Sequence, residues 1–221
     1  MAVLTISRDI GSGGIELARR IAELANYRIA DKVVIERVMR EYGFVNFERS
    51  YEAAGGFWNA EEELTERTLS FLDRVIRAIA KEDRVVIVGR GGFAPLAGFG
   101  DVIHVRATAP FAVRVDRIMS EQGIPSRAEA EKLVQKRDKA RRGFVSRYYG
   151  THWEDASHFD LAVNVDAFGV GPLADLLAES ALNLDRGPKR TPSVKDIEVD
   201  SILSEAARKR LDENQERGFD D

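Results

Sequence analysis

The densest chemistry in this sequence lies in the stretch Ser7-Arg8-Asp9-Ile10-Gly11-Ser12-Gly13-Gly14-Ile15-Glu16, between a short apolar run and a helical one. A glycine-rich loop placed there exposes backbone N–H groups at a helix N-terminus, where they cradle a phosphate and the helix dipole favours the negative charge. Gly11, Ser12, Gly13 and Gly14 are therefore candidate phosphate ligands. The full phosphate-loop pattern is not present, because Gly14 and Ile15 stand where its Lys and Ser/Thr would be. Without the Lys, the β- and γ-phosphates lose a cation; without the hydroxyl, Mg²⁺ loses a ligand. Read alone, the loop fits a phosphate site and a tight structural turn equally well. A dinucleotide fingerprint fits worse, since Glu16 occupies its third glycine position and would repel a pyrophosphate.

An anion is also implied by the charge distribution. The 221-residue chain has a net charge of -4, but residues 1–83 carry 12 basic and 15 acidic groups, residues 84–150 carry 13 and 6, and residues 151–221 carry 8 and 16. A basic block thus sits inside an acidic protein. Within it, Lys132, Lys136, Arg137, Lys139, Arg141, Arg142 and Arg147 face a single acid, Asp138, where a merely solvated helix would mix signs more evenly. The overall negative charge argues against nucleic acid as the partner. With no cysteine, the chain has no disulfide, thiolate metal site or cysteine nucleophile. His104, His152 and His158 are too dispersed for a metal site, and none is expected. Absence of cysteine, of a signal-peptide pattern and of any long apolar run leads to the expectation of a cytoplasmic protein with no membrane contact.

The elements that must position these residues follow from periodicity. Val3–Ser7 reads as a buried strand, and Leu17, Ala18, Ile21, Ala22, Leu24 and Ala25 give the following helix one apolar face. A short extended piece at Tyr27–Ala30 precedes a helix near Lys32–Tyr42, and a long amphipathic helix spans roughly Glu61–Lys81. Arg84–Gly89 has the unbroken apolar character of a central parallel strand, with two more strands at Val102–Val105 and Leu161–Val165. Helices are expected near Pro110–Gln122, Ser126–Arg147 and Gly169–Leu184. This alternation implies an α/β fold with a parallel sheet covered on both faces. From Arg186 onward, 17 of 36 residues are charged, so the domain is expected to end near 185. Beyond it, Ile202, Leu203, Ala206, Ala207 and Leu211 form a thin stripe on a late helix, which either frays, lies on the domain surface, or serves as a homo-oligomer or partner contact.

Taken in chain order, ISRDIGSGGIELARRIAEL, the Asp31-Lys32 pair, VVIVGRGG, VIHVRATAPFAVRVDRIM, KRDKARRGFVSRYYG and FDLAVNVDAFGV resemble the cytidylate kinase-like family, a nucleoside monophosphate kinase branch of the phosphate-loop fold. The resemblance covers most of residues 3–185 and leaves the tail uncovered. It implies a three-layer, five-stranded parallel sheet with a helical lid over about 125–150. It also implies ATP and Mg²⁺ as cofactors and CMP, dCMP or a related nucleotide as substrate. Carried onto this chain, Arg8, Gly11, Ser12, Gly13 and Gly14 would bind ATP phosphates. Asp31, Arg37 and Arg90 would bind the acceptor, with Asp31 alternatively holding a hydrated Mg²⁺. Arg137, Arg141 and Arg142 would be lid residues closing over the transferring group. Arg8 also fits an anchoring salt bridge. Phe57 and Trp58, and more weakly Tyr148, Tyr149 and Trp153, are aromatics that could stack on a base.

The sequence also departs from that pattern. Ile15 replaces an arginine usual after the double glycine, and Val88 and Gly91 replace the aspartates that flank the arginine of cytidylate kinases. These departures keep open a second reading, a nucleotide-binding sensor or interaction module that has lost catalysis.

Overall fold

The computed structural model describes residues 2–45, 47, 51 and 62–216. Strand β1 (Val3–Arg8) runs through the glycine loop into α1 (Gly14–Ala25), followed by β2 (Arg28–Ala30), α2 (Lys32–Glu41), α3 (Glu62–Lys81) and β3 (Val85–Val88). Then come β4 (Val102–Thr108), α4 (Phe111–Gln122), α5 (Arg127–Tyr149), β5 (Leu161–Asn164), the single turn α6 (Val165–Phe168), α7 (Val170–Arg186) and α8 (Ser201–Glu216). The described residues form a five-stranded parallel sheet in the order β2-β3-β1-β4-β5. Each expected strand and helix is present, with ends within a few residues.

Side-chain alternation along the strands divides the core into two layers. Leu4, Ile6, Val86 and Val88 pack with Leu17, Ile21, Leu173 and Leu177 of α1 and α7. Val3, Val85 and Ile87 face Ile35, Met39, Leu72, Ile76 and Ile79 of α2 and α3 on the other side. β3 is buried along its whole length, as its VVIV sequence requires. Leu24, assigned to the buried face of α1, is instead 38% exposed at the last turn. α5 is one continuous helix; Ala130 and Val134 near its start pack against Val115 and Ile118 of α4, which makes the two a hairpin.

The packing shows no boundary at 185. Leu203, Ala207 and Leu211 of α8 are 0–1% exposed and belong to the same core cluster as α2 and α3, whereas Ile202 of the expected stripe is 69% exposed. Ser193 Oγ and the Val194 N–H bind the Asp101 carboxylate at 2.5 and 3.0 Å, and Arg208 pairs with Glu82 at 2.8 Å. The tail therefore closes the β2 side of the sheet. Leu211→Ala should cost about 3 kcal/mol, as buried leucine truncations do, and lower the melting temperature by roughly 6–12 °C. A melting temperature within a degree of the parent would make the tail a loosely attached appendage.

Candidate functional site

Gly13 carries the chain into α1 with a left-handed φ of 81°, and no side chain caps the helix. The first-turn N–H groups of Gly14, Ile15 and Glu16, which have no intrahelical acceptor, thus open onto a cavity of about 440 Å³ walled by the glycine loop and by Arg8, Arg19 and Arg141. Ser12 is 1% exposed and its Oγ has no partner. Two arginines outside the loop fix its shape: Arg117 donates to the Gly11 carbonyl at 2.9 Å, and Arg106 pairs with Asp9 at 2.8 Å. Burial pushes the Asp9 carboxyl above its usual range. Arg106 lies 4.0 Å beneath the Trp153 ring, whose Nε1 donates to Ser7 Oγ at 2.8 Å.

A second cavity, of about 240 Å³, adjoins the first and shares Arg8, Ile10, Ile15 and Arg141 with it. Its other walls include Lys32, Tyr51, Arg90 and Arg137. Arg137 and Arg141 are one turn apart on α5, so they present together. Arg90 sits just past β3 with a φ of 53°, a conformation that costs a non-glycine residue on the order of 1 kcal/mol and occurs often at functional sites. Its guanidinium pairs with Glu36 and stacks 4.0 Å from the Tyr51 ring centroid, while its Nε has no partner. Arg8 reaches over from the end of β1 to pack its guanidinium against Gly89, whose left-handed φ of 77° suits glycine. Burial first, and Arg141 and Arg90 after it, push the Arg8 pKa down to about 9, and its Nε is buried without a partner. Burial also lowers Arg141.

Of the residues expected in the site, Arg8, Gly11, Ser12, Gly13, Gly14, Arg90, Arg137 and Arg141 line one or both cavities. Three do not. Asp31 is the N-cap of α2, its Oδ1 accepting from the Val33 and Val34 N–H groups at 2.9 and 3.0 Å, and it lies outside both cavity walls. Arg37 lines an open groove with Arg40, Glu41 and Arg210 instead. Arg142, one residue beyond Arg141 and therefore about 100° around the helix, pairs with Glu154 at 2.6 Å on the exposed side. The anchoring salt bridge considered for Arg8 has no carboxylate partner among the described residues. Tyr149 is held by Asp73 at 2.8 Å, and Trp153 is 3% exposed, so neither is free to stack on a base; Phe57 and Trp58 lie outside the described residues. Lys32 and Tyr51 also line the second cavity; Lys32 belongs to the Asp31-Lys32 pair of the resemblance, and of the two it is the lysine, not the aspartate, that reaches the wall. Arg142→Ala and Arg37→Ala should each leave the affinity for inorganic tripolyphosphate within about twofold, since neither side chain lines either cavity; a tenfold loss in either, by calorimetric titration, would return that arginine to the site.

This architecture is shared with known proteins. A family model described as the cytidylate kinase-like family matches residues 3–167. The chain belongs to the cytidylate kinase-like family. Among curated relatives of this cytidylate kinase-like protein, the cytidylate kinase of Haloarcula marismortui is 31% identical over 169 residues, spanning 73% of this chain and 80% of that one. The cytidylate kinase of Methanopyrus kandleri is 28% identical over 172 residues, 73% and 83% of the two chains. A solved structure of an uncharacterized protein from Eubacterium ventriosum, 20% identical, superposes with a TM-score of 0.66 over 82% of this chain and 98% of that one, which bears on the fold alone. The family model stops short of α7 and the tail. No described helix is long and apolar enough to cross a membrane, and among the described residues there is no cluster of three or more His, Asp or Glu able to hold a metal.

Proposed function

We propose that this protein transfers the γ-phosphoryl group of ATP to a nucleoside monophosphate, with CMP or dCMP as the first candidates. The observation that carries this reading is the shared wall: a glycine-loop cavity suited to a polyphosphate meets a second cavity lined by Arg8, Lys32, Arg90, Arg137 and Arg141. Family membership supports the same reading.

ATP fits what the chain offers. The uncapped first turn of α1 would hold the donor phosphates, with Arg8 supplying the cation that Gly14 lacks. Mg²⁺ finds no hydroxyl at Ile15, so it would be carried by the nucleotide's phosphates and water, with Glu16 a carboxylate on the wall of the donor cavity. Its contribution when bound is to neutralise charge on the donor phosphates. Arg90 would grip the acceptor phosphate. An oxygen of that phosphate then attacks the γ-phosphorus as the bond to the ADP oxygen breaks, and Arg8 and Arg141 oppose the charge spreading over the transferring group. Planar guanidinium groups, with the Arg8 pKa still about 9 despite burial, suit that task.

A panel of CMP, dCMP, UMP, AMP and GMP in a coupled assay tests the proposal, with diphosphate formation expected and CMP or dCMP turned over fastest. The substitutions at Gly14 and Ile15 favour the second reading, a sensor without catalysis. Folded protein that binds ATP but turns over none of the panel would establish that one.

A further inference from the structure

Asp138 is the single acid in the basic run of α5, and its carboxylate is where three elements meet. Oδ1 accepts from the Ile10 backbone N–H at 3.2 Å, at the start of the glycine loop, and Oδ2 accepts from Arg114 Nη1 of α4 at 2.6 Å. Arg114 also donates to the carbonyls of Ile10 at 3.3 Å and Ala109 at 3.1 Å. Ile10 is therefore held through both its N–H and its C=O by one ion pair, of which Asp138 is 7% and Arg114 9% exposed. From the other side, Arg141 Nη1 stands 3.6 Å from Asp138 Oδ1. Ile10 and Arg141 are two of the four residues common to both cavities.

A buried carboxylate with three such neighbours has a role that helix solubility does not explain. We propose that Asp138 is a positioning residue. It locks the glycine loop in its donor-binding shape through Ile10 and aims Arg141 at the boundary between the cavities. Its consequence for turnover rests on the phosphotransferase reading; its consequence for donor binding does not.

The test separates position from charge, because the two predict opposite signs. Asp138→Asn removes a negative charge from the rim of a cationic cleft, so Coulomb attraction alone would tighten polyphosphate binding. Loss of the anchor weakens it instead. Calorimetric titration of the full chain with inorganic tripolyphosphate and with ATP should give a Kd about tenfold higher in the variant, the scale of one charged hydrogen bond. CMP binding should change by less than about threefold, because Asp138 reaches the second cavity only through Ile10 and Arg141, while Arg90, Lys32 and Arg137 on its wall are untouched. Unchanged or tighter tripolyphosphate binding overturns the proposal, and so does equal weakening for CMP, which would mark a general structural role. If Asp138→Asn does not fold, Arg114→Lys keeps the charge but loses the planar grip on Asp138 and Ile10. It should show the same donor-selective loss, and unaltered donor affinity would contradict the proposal. Should the parent chain bind tripolyphosphate but never transfer phosphate, the phosphotransferase reading fails while the role of Asp138 stands or falls on its own binding data. A parent chain that binds no tripolyphosphate refutes both.

Discussion

Replacing Arg141 with alanine should lower kcat by about three orders of magnitude, the lower end of what a charge-neutralising arginine contributes to phosphoryl transfer, while the Kd for ATP moves only a fewfold. Arg141 is on the wall of both cavities, and its Nη1 is buried with no hydrogen bond, only Asp138 at 3.6 Å. A guanidinium left that way in the free protein has bonding capacity that a phosphoryl group at the boundary would use. Charge develops there chiefly in the transition state, so the loss belongs in kcat rather than in ground-state binding. Arg141→Lys keeps the charge but not the fork and should recover only part of the rate. Steady-state kinetics with parallel ATP calorimetry would show this. A kcat within fivefold of the parent would move the role to Arg137, one turn away.

Arg8→Met should do two things of opposite sign: raise the Kd for ATP by about 100-fold, the loss of roughly 3 kcal/mol of charge-assisted binding, and raise the melting temperature. Arg8 buries a cation whose Nε has no partner, beside two further arginines; Asp31 offsets part of that charge from a distance, but burial and the arginines outweigh it. An apolar side chain of similar length removes that desolvation and repulsion. The gain should be about 1–2 kcal/mol, or a few degrees for a chain of this size. Stability withheld at a site in exchange for activity is a common arrangement. Thermal unfolding and calorimetry on the same preparation test both signs together. A fall in melting temperature with ATP affinity intact would make Arg8 a structural anchor.

Much of the scaffold could be read from periodicity, because strands buried on both faces and helices with one apolar face leave one-dimensional patterns; VVIV and the Leu17-to-Ala25 spacing are examples. Placement of the glycine loop between β1 and α1, and of Arg90 after β3, followed directly. What the pattern could not carry was direction on α5. Among seven basic residues, only the helix's rotation against α4 decides that Arg137 and Arg141 face the cleft while Arg142 pairs with Glu154. Asp31 carries a local signal of its own: an aspartate immediately before a helical run is the usual N-cap, and both N–H groups whose bonds it accepts belong to that first turn. Arg37 lies next to Glu36, which reaches Arg90, and that one-residue rotation takes it to the opposite groove. In the tail, the apolar stripe is legible in the sequence but the heavy charge around it leaves its destination open; three of its residues at four-residue spacing, Leu203, Ala207 and Leu211, are enough to join the core.

The most direct test of the account is whether the two cavities act as one bipartite site. A dinucleotide joining adenosine to cytidine through five phosphates should bind with one molecule per chain. Its affinity should exceed that of ATP by at least about 100-fold, as expected when one ligand spans two adjacent subsites. Isothermal titration showing affinity no better than that of ATP alone, or two independent dinucleotides per chain, would contradict the shared wall at Arg8 and Arg141 and the phosphoryl transfer proposed across it.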